Sequence, residues 1–359
     1  MLKYYAAVGT LALSTTAVNA GGWETGRLDT GFLYQHGNYV EASYGNLDYS
    51  VNATSTTFAK HGMAKDQSRM SVSGKFQIGN FDIGLTSFGS GAIQMDGQNA
   101  TGVSVVPSAD VKLNTQAFMT RYSFNDKYAI IGGVRQAKLK ASTLNTVAPA
   151  DYSIEAVDKS GIVYGLAYER SDIALKFEVL RSEKIKIELT GDVLFGDNPL
   201  LPVTGSLVIP EATTINFQTG IADNTLLMAS AHRVNWTGSD VILNVAAAPP
   251  LNQASDFSNT TSYSLGLGRR LNEQTSASLT YSWEKGTNPG GASTSPFTMS
   301  NGSETLSFGV QHKIGLMTIS GGVSYTKVGD VDVTHSTGLT ASYAGNSVTA
   351  VGIKVGYNF

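Results

Sequence analysis

Apolar and polar residues alternate along most of this chain with a period of two, the spacing that puts every second side chain on one face of a strand. In the last nine residues, 351–359, Val351, Ile353, Val355, Tyr357 and Phe359 share one face, while Gly352, Lys354, Gly356 and Asn358 share the other. The same parity runs through Met70/Val72/Phe76/Ile78, Ile162/Tyr164/Leu166/Tyr168, Ile173/Leu175/Phe177/Val179 and Ile215/Phe217/Ile221. It continues in Tyr263/Leu265/Leu267, Leu279/Tyr281/Trp283, Leu306/Phe308/Val310 and Ile319/Val323/Tyr325. The residues between them are mostly Ser, Thr, Gly, Gln, Asn or charged.

The breaks in this pattern are alternately short and long. Tight turns are predicted at 79–80, 125–127, 170–172, 222–224, 271–273 and 313–315. Long loops are predicted over 52–67, 89–112, 141–159, 190–211, 238–258, 286–302 and 329–345. Short turns interleaved with long loops predict about fourteen antiparallel strands of about ten residues, an even number that leaves both chain ends on one side. The aromatics also sort by height. Phe81, Phe124, Tyr128, Tyr168, Tyr357 and Phe359 stand by the tight turns, and Trp236, Trp283 and Tyr325 by the long loops. Two aromatic girdles around an apolar band are what a bilayer imposes. The predicted architecture is all-β: one transmembrane antiparallel β-barrel over 37–359, with short periplasmic turns and long extracellular loops.

Composition agrees. A mean hydropathy of -0.05 suits strands that are apolar on one face alone. The 39 glycines and 16 tyrosines favour strands and interfacial aromatics over helices. Lys3, the apolar run 4–13 and Val18-Asn19-Ala20 before Gly21 predict a secretory signal peptide over 1–20. Beyond it no apolar run is long enough for a membrane helix. There are no cysteines, so neither disulfides nor thiolate chemistry is available. A net charge of -3 without a basic cluster argues against nucleic acid as a partner.

Catalysis is poorly supported. His36, His61, His232, His312 and His335 are scattered, and the His335-Ser336 pair lacks an orienting group. Metal-ligand spacing is absent, and no cofactor or metal is expected. Parity instead places Glu41, Lys75, Arg121, Arg135, Glu169, Lys176, Glu178, Gln218, Arg233, Arg270 and Glu284 on the inner face. A barrel this wide has a polar interior, and these charges either brace the lumen or hold a ligand carboxylate. Arg135, Arg233 and Arg270 are the ligand-binding candidates because each sits within a predicted strand. Lys176 is a fourth, with Glu178 one inward step away. The stretch 191–209 is unusually apolar, with Phe195, Leu200 and Leu201 among its side chains. It offers either a greasy surface at the outer mouth or a loop that folds inward.

The segments 30–45 (TGFLYQHGNYVEASYG) and 209–236 (IPEATTINFQTGIADNTLLMASAHRVNW) resemble the FadL/TodX family of outer-membrane transporters. The resemblance implies passive transport of hydrophobic molecules, long-chain fatty acids or related lipids, by a non-enzymatic, monomeric barrel of the bacterial outer membrane. It also implies an N-terminal hatch in the lumen and a gap in the wall near the third strand. A general diffusion porin for small polar solutes is the alternative. The chain departs from the family in having only 21–36 before its first strand, without the Asn-Pro-Ala segment typical of the hatch. Trp23, Phe32 and Leu33 form either a reduced plug or a tail outside the barrel mouth. The terminal Tyr357 and Phe359 resemble the signal that outer-membrane barrels show to their assembly machinery.

Deleting Phe359 should therefore slow barrel assembly. The measurement is the heat-modifiable fraction reaching the outer membrane, and wild-type levels would refute the assignment.

Overall fold

The computed structural model describes residue 23 and residues 26–97, 106–140, 142–147, 150–195, 198–245, 255, 257–295, 297–335 and 338–359. The predicted signal peptide lies outside the described residues, and so does Ser336. No helix among the described residues is long and apolar enough to cross a membrane.

Fourteen strands among the described residues form a closed antiparallel wall. They are β1 (Tyr39–Ser50), β2 (Gln67–Ile78), β3 (Phe81–Asp96), β4 (Ser108–Ser123), β5 (Tyr128–Leu139), β6 (Val157–Arg170) and β7 (Leu175–Ser182). The circuit continues with β8 (Glu211–Ala222), β9 (Thr225–Asn235), β10 (Thr260–Arg270), β11 (Thr275–Lys285), β12 (Gly302–Ile314), β13 (Met317–Val328) and β14 (Ser347–Asn358). The circuit closes where β1 pairs with β14, from Tyr39↔Asn358 to Ser50↔Ser347. The tight turns fall where the sequence puts them, and local chemistry explains two of them. Asn125 Oδ1 accepts from the backbone N–H groups of Lys127 and Tyr128, and Asn272 Oδ1 from those of Gln274 and Thr275.

The outer face carries the apolar set read from parity. Met70, Leu166, Leu279, Leu306 and Val351 all point outward and are exposed. In water such a band would be costly, and in a bilayer it is the contact surface. Trp283 and Tyr325 are exposed at the upper edge, and Phe81, Phe124, Tyr128 and Phe359 at the lower. Trp236 is a correction. It is buried inside the barrel, with its ring edge-on to Trp23 at 5.6 Å and to Phe257 at 5.4 Å.

The expected loop at 190–211 is largely strand. Ile185–Phe195 and Asn198–Ile209 form a hairpin that continues the β7–β8 pair without a change of offset, from Ser182↔Ala212 to Ile185↔Ile209. Which face is buried does change. Ser182 and Ile185 are both buried with exposed Glu183 and Lys184 between them, while Ile209 and Pro210 are buried side by side. Proline cannot donate to a ladder, so the bend falls where one bond is missing anyway. Ser142–Val147 and Ala150–Ile154 extend the β5–β6 pair in the same way and join the first hairpin through Ile154↔Gly191. Below the bend the apolar face looks out at lipid; above it, in water, the apolar face looks in. The large apolar cluster of the molecule therefore fills the outer half of the barrel, with Trp236, Leu113, Leu139, Ile187 and Leu243 fully buried.

Leu279 points out and Ser278 points in, so Leu279→Arg should destabilise the barrel by about 2–4 kcal/mol if the site lies near the midplane, and Ser278→Arg by far less. Urea unfolding in detergent or bilayers measures the difference.

Candidate functional site

Trp23 and residues 26–36 lie in the lumen. Trp23, Phe32 and Leu33 are buried, and Gly31–Tyr34 forms one 3-10 turn started by Asp29, whose Oδ1 accepts from Gly31 N at 2.8 Å. Phe32 and Leu33 join Met119, Ile131, Val163 and Leu180 of the wall in one apolar cluster. Two glycines make room for them. A Cβ at Gly84 would stand 2.4 Å from the Phe32 ring, and one at Gly91 would stand 2.5 Å from the Trp23 ring. The choice between plug and outside tail thus falls to the plug, short as it is.

Wall side chains pin this plug. Glu178 accepts from Thr30 Oγ1 at 2.8 Å and from Tyr34 Oη at 2.6 Å, and also from Asn216 Nδ2 at 2.9 Å. Lys75 Nζ donates to Leu33 O at 3.3 Å and pairs with Asp82. Arg121 bridges Asp82 and Glu169, and Arg27 donates to Ser262 Oγ at 3.0 Å. The Tyr34 ring is flanked by two cations, the Arg121 guanidinium at 4.7 Å and Lys176 Nζ at 4.3 Å from its centroid. Burial, with the Glu178 carboxylate beside it, raises the Tyr34 phenol well above its ordinary value, so it stays a neutral donor.

The four predicted ligand cations part company here. Arg135 faces the lumen, and its Nη2 donates to Glu183 O at 2.6 Å. Lys176 serves the Tyr34 ring. Arg233 is a correction: it is exposed, and its strand buries Leu226, Met228, His232 and Val234 instead. Leu226, Leu227 and Met228 are all apolar, so β9 has no legible parity, and only the register with its neighbours decides. Arg270 stands at the periplasmic rim, donating to Asn224 Oδ1 of the adjoining turn at 2.9 Å. Phe195 and Leu200 are exposed near the hairpin tip, while Leu201 packs against the apolar core. His232 was not singled out by sequence reasoning. It is buried, and its Nδ1 lies 2.8 Å from Thr214 Oγ1.

The wall beside the plug is broken. β2 and β3 pair from Ile78↔Phe81 up to Ser71↔Phe88, and pairing resumes with the isolated bridge Ala64↔Met95 at the same offset. Between those points no ladder pair joins the two strands among the described residues. β3 carries a bulge between Gly89 and Gly91 at this level, and bulges bend a strand away from its neighbour. The plug takes over part of the missing ladder. Gly26 N donates to Ser90 O at 3.2 Å, and Ala92 N donates to Trp23 O at 3.0 Å. Behind the break lies a small cavity of about 30 Å³ bounded by Trp23, Leu28, Phe88, Ile209, Arg135 and His232, among others. No Asp or Glu is among the described residues lining it. The indole N–H groups of Trp23 and Trp236 are buried without a hydrogen-bond partner among the described residues.

No protein-family model and no curated protein matches this chain. Solved structures do. A Pseudomonas aeruginosa FadL homologue is 12% identical, with a TM-score of 0.76 over 91% of this chain and 92% of its own. The Pseudomonas putida toluene transporter TodX is 14% identical, with a TM-score of 0.64 over 95% of each chain. The Ralstonia pickettii toluene transporter TbuX is 16% identical, with a TM-score of 0.62 over 91% of this chain and 90% of its own. The fold is the one those structures share.

Glu178→Ala removes the acceptor shared by Thr30 and Tyr34 and should loosen the plug. Planar-bilayer recording is expected to show larger ion currents than wild type at equal protein, with no change for Glu188→Ala on the outer surface.

Proposed function

We propose that this chain is an outer-membrane channel through which hydrophobic small molecules pass passively, entering at the outer mouth and leaving sideways through the wall. The observation that carries this reading is the break between β2 and β3. It lies between the apolar outer half of the lumen and the lipid-facing surface, where Met70 stands exposed at its edge, and only the plug backbone spans it. A hydrophobic molecule following that route never crosses the polar floor made by Lys75, Asp82, Arg121 and Glu169. Water-soluble solutes would have to cross it, past a plug held on several sides, which speaks against a general diffusion pore. The similar channels named FadL homologue and toluene transporter agree in kind.

Among hydrophobic cargoes, those with an anionic head fit the cavity best, and long-chain fatty acids are the proposed class. The cavity is lined by Arg135 and the Trp23 indole and has no carboxylate among the described residues around it. Burying a carboxylate without a donor is costly, and a guanidinium offsets that cost. The cavity is small as it stands, so loading requires Trp23 to shift.

Arg135→Gln should weaken oleate binding about ten- to a hundred-fold, the effect of one charged hydrogen bond of about 1.5–3 kcal/mol. Binding of a neutral alkane of similar length should be unchanged. Large, steady ion currents through wild-type protein would instead support the porin.

A further inference from the structure

The wall has a second interruption, and it is built differently from the first. The β6–β7 ladder runs from Arg170↔Leu175 up to Val163↔Ser182. The same two chain segments pair again from Ile154↔Gly191 to Asp151↔Leu194, with the offset unchanged. Glu183 N bonds Ile162 O at 3.0 Å at the lower end of the gap, and Glu155 N bonds Thr190 O at 2.9 Å at the upper. Between these bonds, among the described residues, no ladder pair joins 156–161 to 184–189. Neither lip is frayed. Residues 157–161 remain paired with β5, and residues 185–189 with 205–209. Two well-held strand edges thus face each other across a slot.

Side chains, not backbone bonds, close that slot. Ile185 is buried and leans onto Gly161, where an added Cβ would lie 2.6 Å from Ile185 Cγ1. Directly inside are Leu180, Ser182, Ile209 and Pro210, which line the same cavity that reaches the β2–β3 break. Arg135 holds the lower corner through Glu183 O. The height of the slot follows from the outer face. Ile162 is the last exposed apolar residue on β6, above it stand exposed Asp158 and Ser160, and the other lip carries exposed Lys184, Lys186 and Glu188. That level is the headgroup layer, where water can satisfy strand edges that hydrocarbon could not.

We propose that this slot is a second side portal, through which an amphiphile with a hydrocarbon tail and an anionic head enters the cavity from the outer headgroup layer. The tail passes between Gly161 and Ile185, and the head passes from Lys184 to Arg135. The proposal rests on the channel reading above. It differs from the β2–β3 break, which the plug backbone crosses; here one isoleucine side chain is the gate.

The absence of native cysteines permits a direct test. The contact above puts the Cβ atoms of positions 161 and 185 about 4 Å apart, within disulfide reach. The variant carrying Gly161→Cys and Ile185→Cys should lose oleate uptake when oxidised and regain it on reduction, with each single variant indifferent to oxidant. Ile185→Ala, which needs no cross-link, should take up oleate faster than wild type. Uptake at the wild-type rate by protein verified as cross-linked would overturn the portal, and so would an unchanged rate for Ile185→Ala. Wild-type protein that takes up no oleate would overturn the fatty-acid reading of the channel and the portal with it.

Discussion

Inside a bilayer every backbone N–H and C=O must find a protein partner, and the structure is organised by that demand. Closure of β1 onto β14 meets it for nearly the whole wall. The exceptions are then informative. Where β3 leaves β2 near the lipid band, Ser90 O and Ala92 N are taken up by Gly26 and Trp23 of the plug. The plug is thereby part of the wall as well as an obstruction of the lumen. The same few residues serve both plug and wall.

A second constraint is the reversal of solvent along the barrel axis. The same strands pass from lipid into water, so the face that must be apolar changes sides. At 182–185 and at 209–210 the chain achieves this with two-residue irregularities that leave the pairing offset untouched. The consequence is an apolar interior in the outer half and a charged one below. A hydrophobic molecule arriving from outside finds a matching surface only as far as the level of the wall breaks. The division between passage and floor therefore follows from where the membrane ends.

The floor holds the plug by polar contacts placed on it from several strands. Glu178 on β7, Lys75 on β2 and Arg121 on β4 reach the segment from different directions. Each of these charges has a partner, as burial requires. They brace the lumen, as one of the two readings of the inner charges proposes, and Arg135 alone of the predicted arginines is left beside the cavity.

Strand number, tight turns, outward faces and both girdles apart from Trp236 follow from the sequence by itself. A bilayer imposes a period of two on the side chains, and turn residues such as Asn125 and Asn272 act locally. The lumenal side of β9 did not follow, since three consecutive apolar residues leave parity ambiguous and Arg233 fell on the wrong face. Nor could the sequence decide whether Trp23 and residues 26–36 lie inside. That depends on hollows at Gly84 and Gly91 and on acceptors such as Glu178, all distant along the chain. The wall breaks are likewise invisible to alternation, because they are failures of pairing between strands that each look regular alone. Such contacts arise only when the barrel closes and brings those residues together.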